Sequence, residues 1–214
     1  MKKCCGSLVA SLLLCLHAAA DGGADGGKNI GLACVGDFDP TLVERIRGFA
    51  QRSLMMPVVM IEAKDVKMDS LDDVGRSASA WLDLDHAMVV VLFMPEEDLG
   101  GHGVVRREEH TAVVNARAML PEPSDPEKYA RRLERQVMRS VGLLLGLDFS
   151  PNPRSAMWPY KTLEQLDRIG RNFDPPWLLK AQRAARERGI KILSRQWPPA
   201  GSVKTRETAA KQED

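Results

Sequence analysis

Residues 87–93 read Ala87-Met88-Val89-Val90-Val91-Leu92-Phe93, seven apolar residues in a row with no polar alternation. A strand with one wet face alternates apolar and polar side chains. An unbroken β-branched run of this length is a strand covered on both faces, the arrangement of a parallel sheet between two layers. A chain that carries such a strand has to supply helices for both sides of it.

The flanking segments meet that requirement. Residues 29–35 form a short apolar strand closed by Gly36-Asp37, and Asp39-Pro40 opens a helix on which Leu42, Val43, Ile46, Phe49 and Ala50 recur at helical spacing. Residues 57–61 read as a second strand. Ser70 is a candidate N-cap for a helix reaching Leu82. After the central strand, residues 95–109 are rich in glycine and charge and read as a loop or irregular edge, and residues 111–115 as a further strand. Residues 121–126 form a linker in which Ser124-Asp125-Pro126-Glu127 begins a helix running to about Leu147, with Leu133, Val137, Val141, Leu144 and Leu145 on its buried face. Pro151, Pro153 and Pro159 exclude helix from the next stretch. Residues 162–172 and 175–188 read as helices, and 190–193 as a short strand. The order β-α-β-α-β-β-α followed by helices implies an α/β domain over residues 29–197 with a single twisted sheet.

The two ends read differently. Lys2 and Lys3 precede an apolar run from Leu8 to Leu16, and Ala18-Ala19-Ala20 offers a small-residue cleavage site. That is the layout of a secretory signal peptide over residues 1–20, with cleavage near Ala20 and a secreted or periplasmic product. The run is shorter than the roughly 20 residues a spanning helix needs, so no stable membrane anchor is expected. Residues 21–28 read as a flexible leader. Residues 198–214 are polar and aperiodic and read as a disordered tail. Cleavage would remove Cys4, Cys5 and Cys15 and leave Cys34, too few for an internal disulfide. It would also leave 28 basic and 29 acidic residues, a net charge of −1, which gives no electrostatic reason to expect nucleic acid as a partner.

The chemical content lies between Arg139 and Trp177. The segment reads Arg139-Ser140-Val141-Gly142-Leu143-Leu144-Leu145-Gly146-Leu147-Asp148-Phe149-Ser150-Pro151-Asn152-Pro153-Arg154-Ser155-Ala156-Met157. It continues through Leu163-Glu164, Asp167-Arg168 and Gly170 to Phe173-Asp174-Pro175-Pro176-Trp177. Without a gap, this resembles the active-site region of the archaemetzincins, a family of metzincin-type zinc peptidases. Gly142, Gly146, Leu147, Asn152, Pro153, Met157, Leu163, Glu164, Asp167, Gly170, Phe173 and Pro175 match the family's scaffold positions. The upstream likeness is looser. It covers the opening strand with Gly36-Asp37, the Leu92-Phe93 region and residues 112–117.

The resemblance implies a zincin-like fold: a twisted mixed sheet, an active-site helix and a methionine turn at Met157. In such enzymes H-E-x-x-H-x-x-G-x-x-H sets two histidines four apart on one helical face. A third follows beyond a glycine turn, and the glutamate is the general base. The functional positions of this chain depart from that pattern. Where the family places three zinc-binding histidines stand Arg139, Leu143 and Phe149, and the base is replaced by Ser140. The family's second, structural zinc is held by four cysteines; here those positions are Ser150, Ser155, Asp174 and Trp177.

Leucine and phenylalanine offer zinc no donor, and arginine stays protonated and repels a dication. Zinc, the cofactor the family implies, is therefore expected to be lost, along with the low-pKa water it would generate. No catalytic residue is assigned. Ser140 as a nucleophile would need an adjacent base, and His86, His102 and His110 all lie outside its helix. Leu143 and Phe149 are expected to fill the former metal site with apolar packing, leaving Arg139 at the cleft edge beside Asp148. Gly142 and Gly146 need no chemical role; close helix packing and a helix stop account for them.

Two functions compete. The first is a catalytically inactive archaemetzincin-like protein, a pseudo-metallopeptidase whose cleft still binds a peptide or protein along residues 110–117. The second is a metallopeptidase-related hydrolase with a relocated site, built from His102, His110, Glu108 and Glu109. For those four, solvated loop residues are the plainer account. A purely structural exported domain is a third possibility. Trp158, Tyr160, Trp177 and Trp197 could line a groove, though core and edge packing is the plainer account. Neither ligand nor partner can be named from these residues.

Overall fold

The computed structural model describes residues 26–194. The expected signal peptide and cleavage site, most of the expected leader, Trp197 and the expected C-terminal tail lie outside the described residues.

Five strands form one sheet in the order β2-β1-β3-β5-β4: β1 (Asn29–Val35), β2 (Val58–Met60), β3 (His86–Phe93), β4 (Gly103–Arg106) and β5 (Thr111–Asn115). β1, β2, β3 and β5 run parallel, and β4 is antiparallel at the edge. Strand β3 is covered on both faces, as its unbroken apolar run requires. Met88, Val90 and Leu92 enter the larger core with helices α1 (Pro40–Leu54), α3 (Pro126–Leu144), α4 (Leu163–Arg168) and α5 (Pro175–Glu187). Val89, Val91 and Phe93 face a smaller core with α2 (Leu71–Ala78) and Trp81. The period-2 geometry of a strand divides one apolar run between two layers. The fold is the mixed α/β sheet with helices on both sides that the sequence implies.

The helix starts follow from local chemistry. Asp39, Ser70 and Asp125 each accept a backbone N–H of the first helical turn, from Thr41, Asp73 and Lys128 respectively, and proline occupies the first turn of α1 and α3. The ends differ from expectation in four places. The helix beginning at Leu71 stops at Ala78 and gives way to a 3-10 turn over Ser79–Trp81, which carries Trp81 to the Lys64 carbonyl at 2.8 Å. The α3 helix stops at Leu144, because Gly146 takes φ +86°. The Leu147 and Gly146 N–H groups close back on the Gly142 and Leu143 carbonyls in a Schellman turn. The α4 helix ends at Arg168, since Gly170 is pressed against the Arg154 backbone carbonyl, where no side chain fits. Residues 190–193 contribute a single bridge, from Ile190 to Lys28.

A fifth difference bears on function. Strand β4 lies within residues 95–109, read above as a loop or irregular edge, and it is a regular antiparallel strand. Its insertion makes β5 an inner strand, buried along its whole length, with β4 as the rim. An edge available to a peptide is therefore at residues 103–106. It is not at 110–117.

Candidate functional site

The last two turns of α3, the loop that follows and the methionine turn meet around Gly142. A β-carbon at Gly142 would lie 2.5 Å from Met157 Sδ and 2.9 Å from the Phe173 ring, so only glycine lets helix, turn and ring close together. Met157 is fully buried there. Ser140 is buried on the same helix, and its hydroxyl has no hydrogen bond among the described residues. Among the described residues no histidine is hydrogen-bonded to it.

Arg139 is held on three sides. Its Nη1 donates to the Trp158 carbonyl at 2.8 Å and, at 3.5 Å, to that of Ala156. The guanidinium carbon lies 4.6 Å from the centre of the Phe149 ring and 5.1 Å from that of Tyr160. Tyr160 is itself fixed: Gln136 donates to its hydroxyl, and His102 stacks on it at 5.4 Å with 17° between the rings. Burial lowers the Arg139 pKa and also that of His102, the latter helped by the charge of Arg132. The histidine is thereby held toward its neutral form, and Arg139 carries the positive charge in the cluster.

This geometry corrects the expectation of an apolar plug. Leu143 is partly buried against the core, but Phe149 is 51% exposed and stands over the arginine. Nor does Arg139 pair with Asp148; among the described residues it has no ion pair at all. The Asp148 carbonyl instead accepts the Trp177 indole N–H at 2.8 Å.

The second set of positions comes together more closely. Ser150 donates to Asp174 Oδ1 at 2.9 Å and accepts the Asn152 N–H at 3.1 Å. The Ser155 hydroxyl accepts the Met157 N–H at 3.3 Å and the Asp174 N–H at 3.5 Å. Ser150 and Ser155 are fully buried. Three of the four positions thus form one hydrogen-bonded knot. Trp177 stands apart from the knot, partly buried against the core, with the Lys180 ammonium 4.1 Å over its ring.

The chemistry of these donors does not fit zinc at either place. Arginine, leucine and phenylalanine supply no ligand at the first. At the second, a lone carboxylate stands with two hydroxyls, all engaged in hydrogen bonds. Among the described residues, no group of three or more His, Cys, Asp or Glu side chains converges.

The residues named for a relocated site are not brought together. His102 pairs across from Asn115 at one end of the β4–β5 hairpin, while His110 sits in its turn at φ +53°, beside Arg188 at 3.1 Å. Four paired residues separate them, on the order of 13 Å at the rise of a strand. Glu109 is engaged by Arg106, and Glu108 is exposed. His86 lies elsewhere, 2.6 Å from Asp83. Of the aromatics, Tyr160 and the Trp158 backbone serve Arg139.

The sequence reading named Arg139, Phe149, Tyr160 and His102 separately and missed that they form one stack. It also missed Gln136, which stands three residues before Arg139 on the same helix face.

An antiparallel edge strand above a long helix that ends in a glycine turn, with a buried methionine turn beneath, is the architecture of zinc-dependent peptidases. The resemblance is to the archaemetzincin fold in particular. The archaemetzincin of Methanopyrus kandleri superposes with a TM-score of 0.60 at 18% identity, over 77% of this chain and 98% of that one. The archaemetzincin of Archaeoglobus fulgidus, solved with malonate, gives 0.56 at 16% identity, over 71% and 99%. A zinc-dependent peptidase from Methanocorpusculum labreanum gives 0.58 at 17% identity, over 72% and 100%. The sequence matches no protein-family model and no curated protein sequence.

Proposed function

We propose that this chain is an exported, catalytically inactive counterpart of the archaemetzincin peptidases, one that binds a peptide or protein segment where the peptidases cut. The observation that carries the reading is the lock on Arg139. At the position that the resemblance gives to the first zinc histidine stands a cation clamped between two rings and two carbonyls. A fixed guanidinium opposes a dication and supplies no base. Beside this cluster, β4 has no backbone partner on its outer side among the described residues, which suits strand addition by an extended segment. Export is read from the charged, apolar and small-residue pattern of residues 1–20.

Elemental analysis of the purified mature chain, with a broad peptide-cleavage screen, tests the proposal. Zinc far below one per chain and no cleavage are expected, with or without added zinc. One tightly bound zinc per chain, or cleavage that a chelator stops, would refute it. Sequencing the N-terminus of the secreted product tests export, with a start at Asp21 expected.

A further inference from the structure

Three arginines of the chain present one edge to a single carboxylate. Arg132 presents Nε and Nη2 together to the two oxygens of Asp167, at 2.8 and 2.7 Å. Arg47 presents the same edge to Glu44, at 2.8 and 2.6 Å, and Arg106 does so to Glu109. This is the planar fork that matches a carboxylate bidentately. Arg135, also on α3, has no carboxylate partner but closes the same edge with the carbonyls of Ile169 and Asp167.

Arg139 does neither. Its carbonyl contacts both use Nη1, so the Nε–H and both Nη2 protons have no acceptor among the described residues. The side chain is partly withdrawn from water, and no carboxylate compensates its charge. A desolvated, unpaired cation is destabilising unless something answers it, and here the rings of Phe149 and Tyr160 do so only in part. The two carbonyls and the two rings hold the guanidinium in place, so the free fork is already positioned. Phe149 is half exposed beside it, which leaves an approach from solvent along an apolar ring.

We infer that the Nε/Nη2 edge of Arg139 is a carboxylate-binding site, and that its ligand is the free C-terminal carboxylate of an extended peptide lying beside β4. This rests on the peptide-binding reading above and narrows it: the cleft recognises a chain end, not the middle of a chain. A small free carboxylate would satisfy the same fork, so the experiment separates the two sources.

The test uses the mature chain with N-acetylated apolar tetrapeptides, prepared as free acids and as C-terminal amides, and with acetate alone. Binding is followed calorimetrically and through the Arg139 Nε–H resonance in proton–nitrogen spectra. The acids are expected to bind at least about tenfold tighter than the amides, the scale of a charge-assisted pair, and to shift that resonance. Arg139→Gln should abolish the difference. Arg139→Lys keeps the charge but not the fork, and should lose most of it. Equal affinity of acids and amides would overturn the carboxylate site and leave peptide binding standing. Acetate moving the resonance while no peptide binds would keep the site and defeat the peptide reading. No carboxylate response at Arg139 would overturn the inference. If the variants do not fold, the comparison of acid and amide on the unaltered chain still decides.

Discussion

The Ser150 hydroxyl donates to Asp174 Oδ1 at 2.9 Å and joins two positions 24 residues apart, while Ser155 accepts the backbone N–H of the same aspartate. These are three of the four positions where the archaemetzincin resemblance implies structural-zinc cysteines. A metal cluster needs its ligands within one small volume, and the hydrogen-bonded knot brings three of these positions into such a volume.

Restoring the thiolates should therefore restore a site. The variant S150C, S155C, D174C, W177C is expected to bind one zinc per chain and to gain thermal stability on loading, with the gain removed by a chelator. Trp177 contributes a rim contact through its indole N–H to Asp148, so its loss is tolerable. Zinc titration followed by elemental analysis checks this. No binding by the four-cysteine chain would show that the resemblance assigns the wrong residues.

The reach of the sequence can be judged on such pairs. Strands β1 and β5 were legible to the residue, and β3 to within one, because short apolar runs set between glycine, proline and charged residues leave too little length for a buried helix. Strand β4 was not. It has only Val104 and Val105 to set a pattern, amid Gly100, Gly101 and Gly103, and two residues establish no period. That miss also placed the sheet edge on the wrong strand. Gap-free spacing was enough to name Arg139 and Phe149. Their partnership was not visible, because the contacts that hold the guanidinium come from residues 149–160, beyond the end of its own helix. An expectation of apolar filling treated the two positions as a pair of volumes, when one of them carries a charge that needs a π face.

Gly142→Ala should destabilise the fold although it improves helix propensity. The gain from alanine in a helix is about 1 kcal/mol. Against it, the added carbon would meet Met157 Sδ at 2.5 Å and Phe173 at 2.9 Å, both anchored in the core, and overpacking of that kind costs about 1–3 kcal/mol. The net expectation is a melting temperature lowered by about 2–6 °C, measured by thermal unfolding. Met157→Ala in the same background should relieve the clash. A rise in melting temperature for Gly142→Ala alone would mean that the methionine turn yields freely.

The Tyr129 hydroxyl is buried and has no hydrogen-bond partner among the described residues. Leaving such a group unsatisfied costs on the order of 1–3 kcal/mol, so Tyr129→Phe should raise stability, against the usual direction of a core substitution. Its ionisation gives a second, independent readout. Burial pushes the Tyr129 pKa up to about 12, above that of an exposed tyrosine. The unfolded chain then releases this proton at lower pH than the folded chain does. The tyrosine's contribution to stability is intact below about pH 10, and it declines as pH rises toward the folded value. Denaturant unfolding of the natural chain and of Tyr129→Phe at pH 8 and pH 11 should therefore show the variant ahead at both, with the wider margin at the higher pH. A variant less stable at pH 8 would mean that the hydroxyl is satisfied, and an unchanged margin at pH 11 would mean that the phenol reaches water.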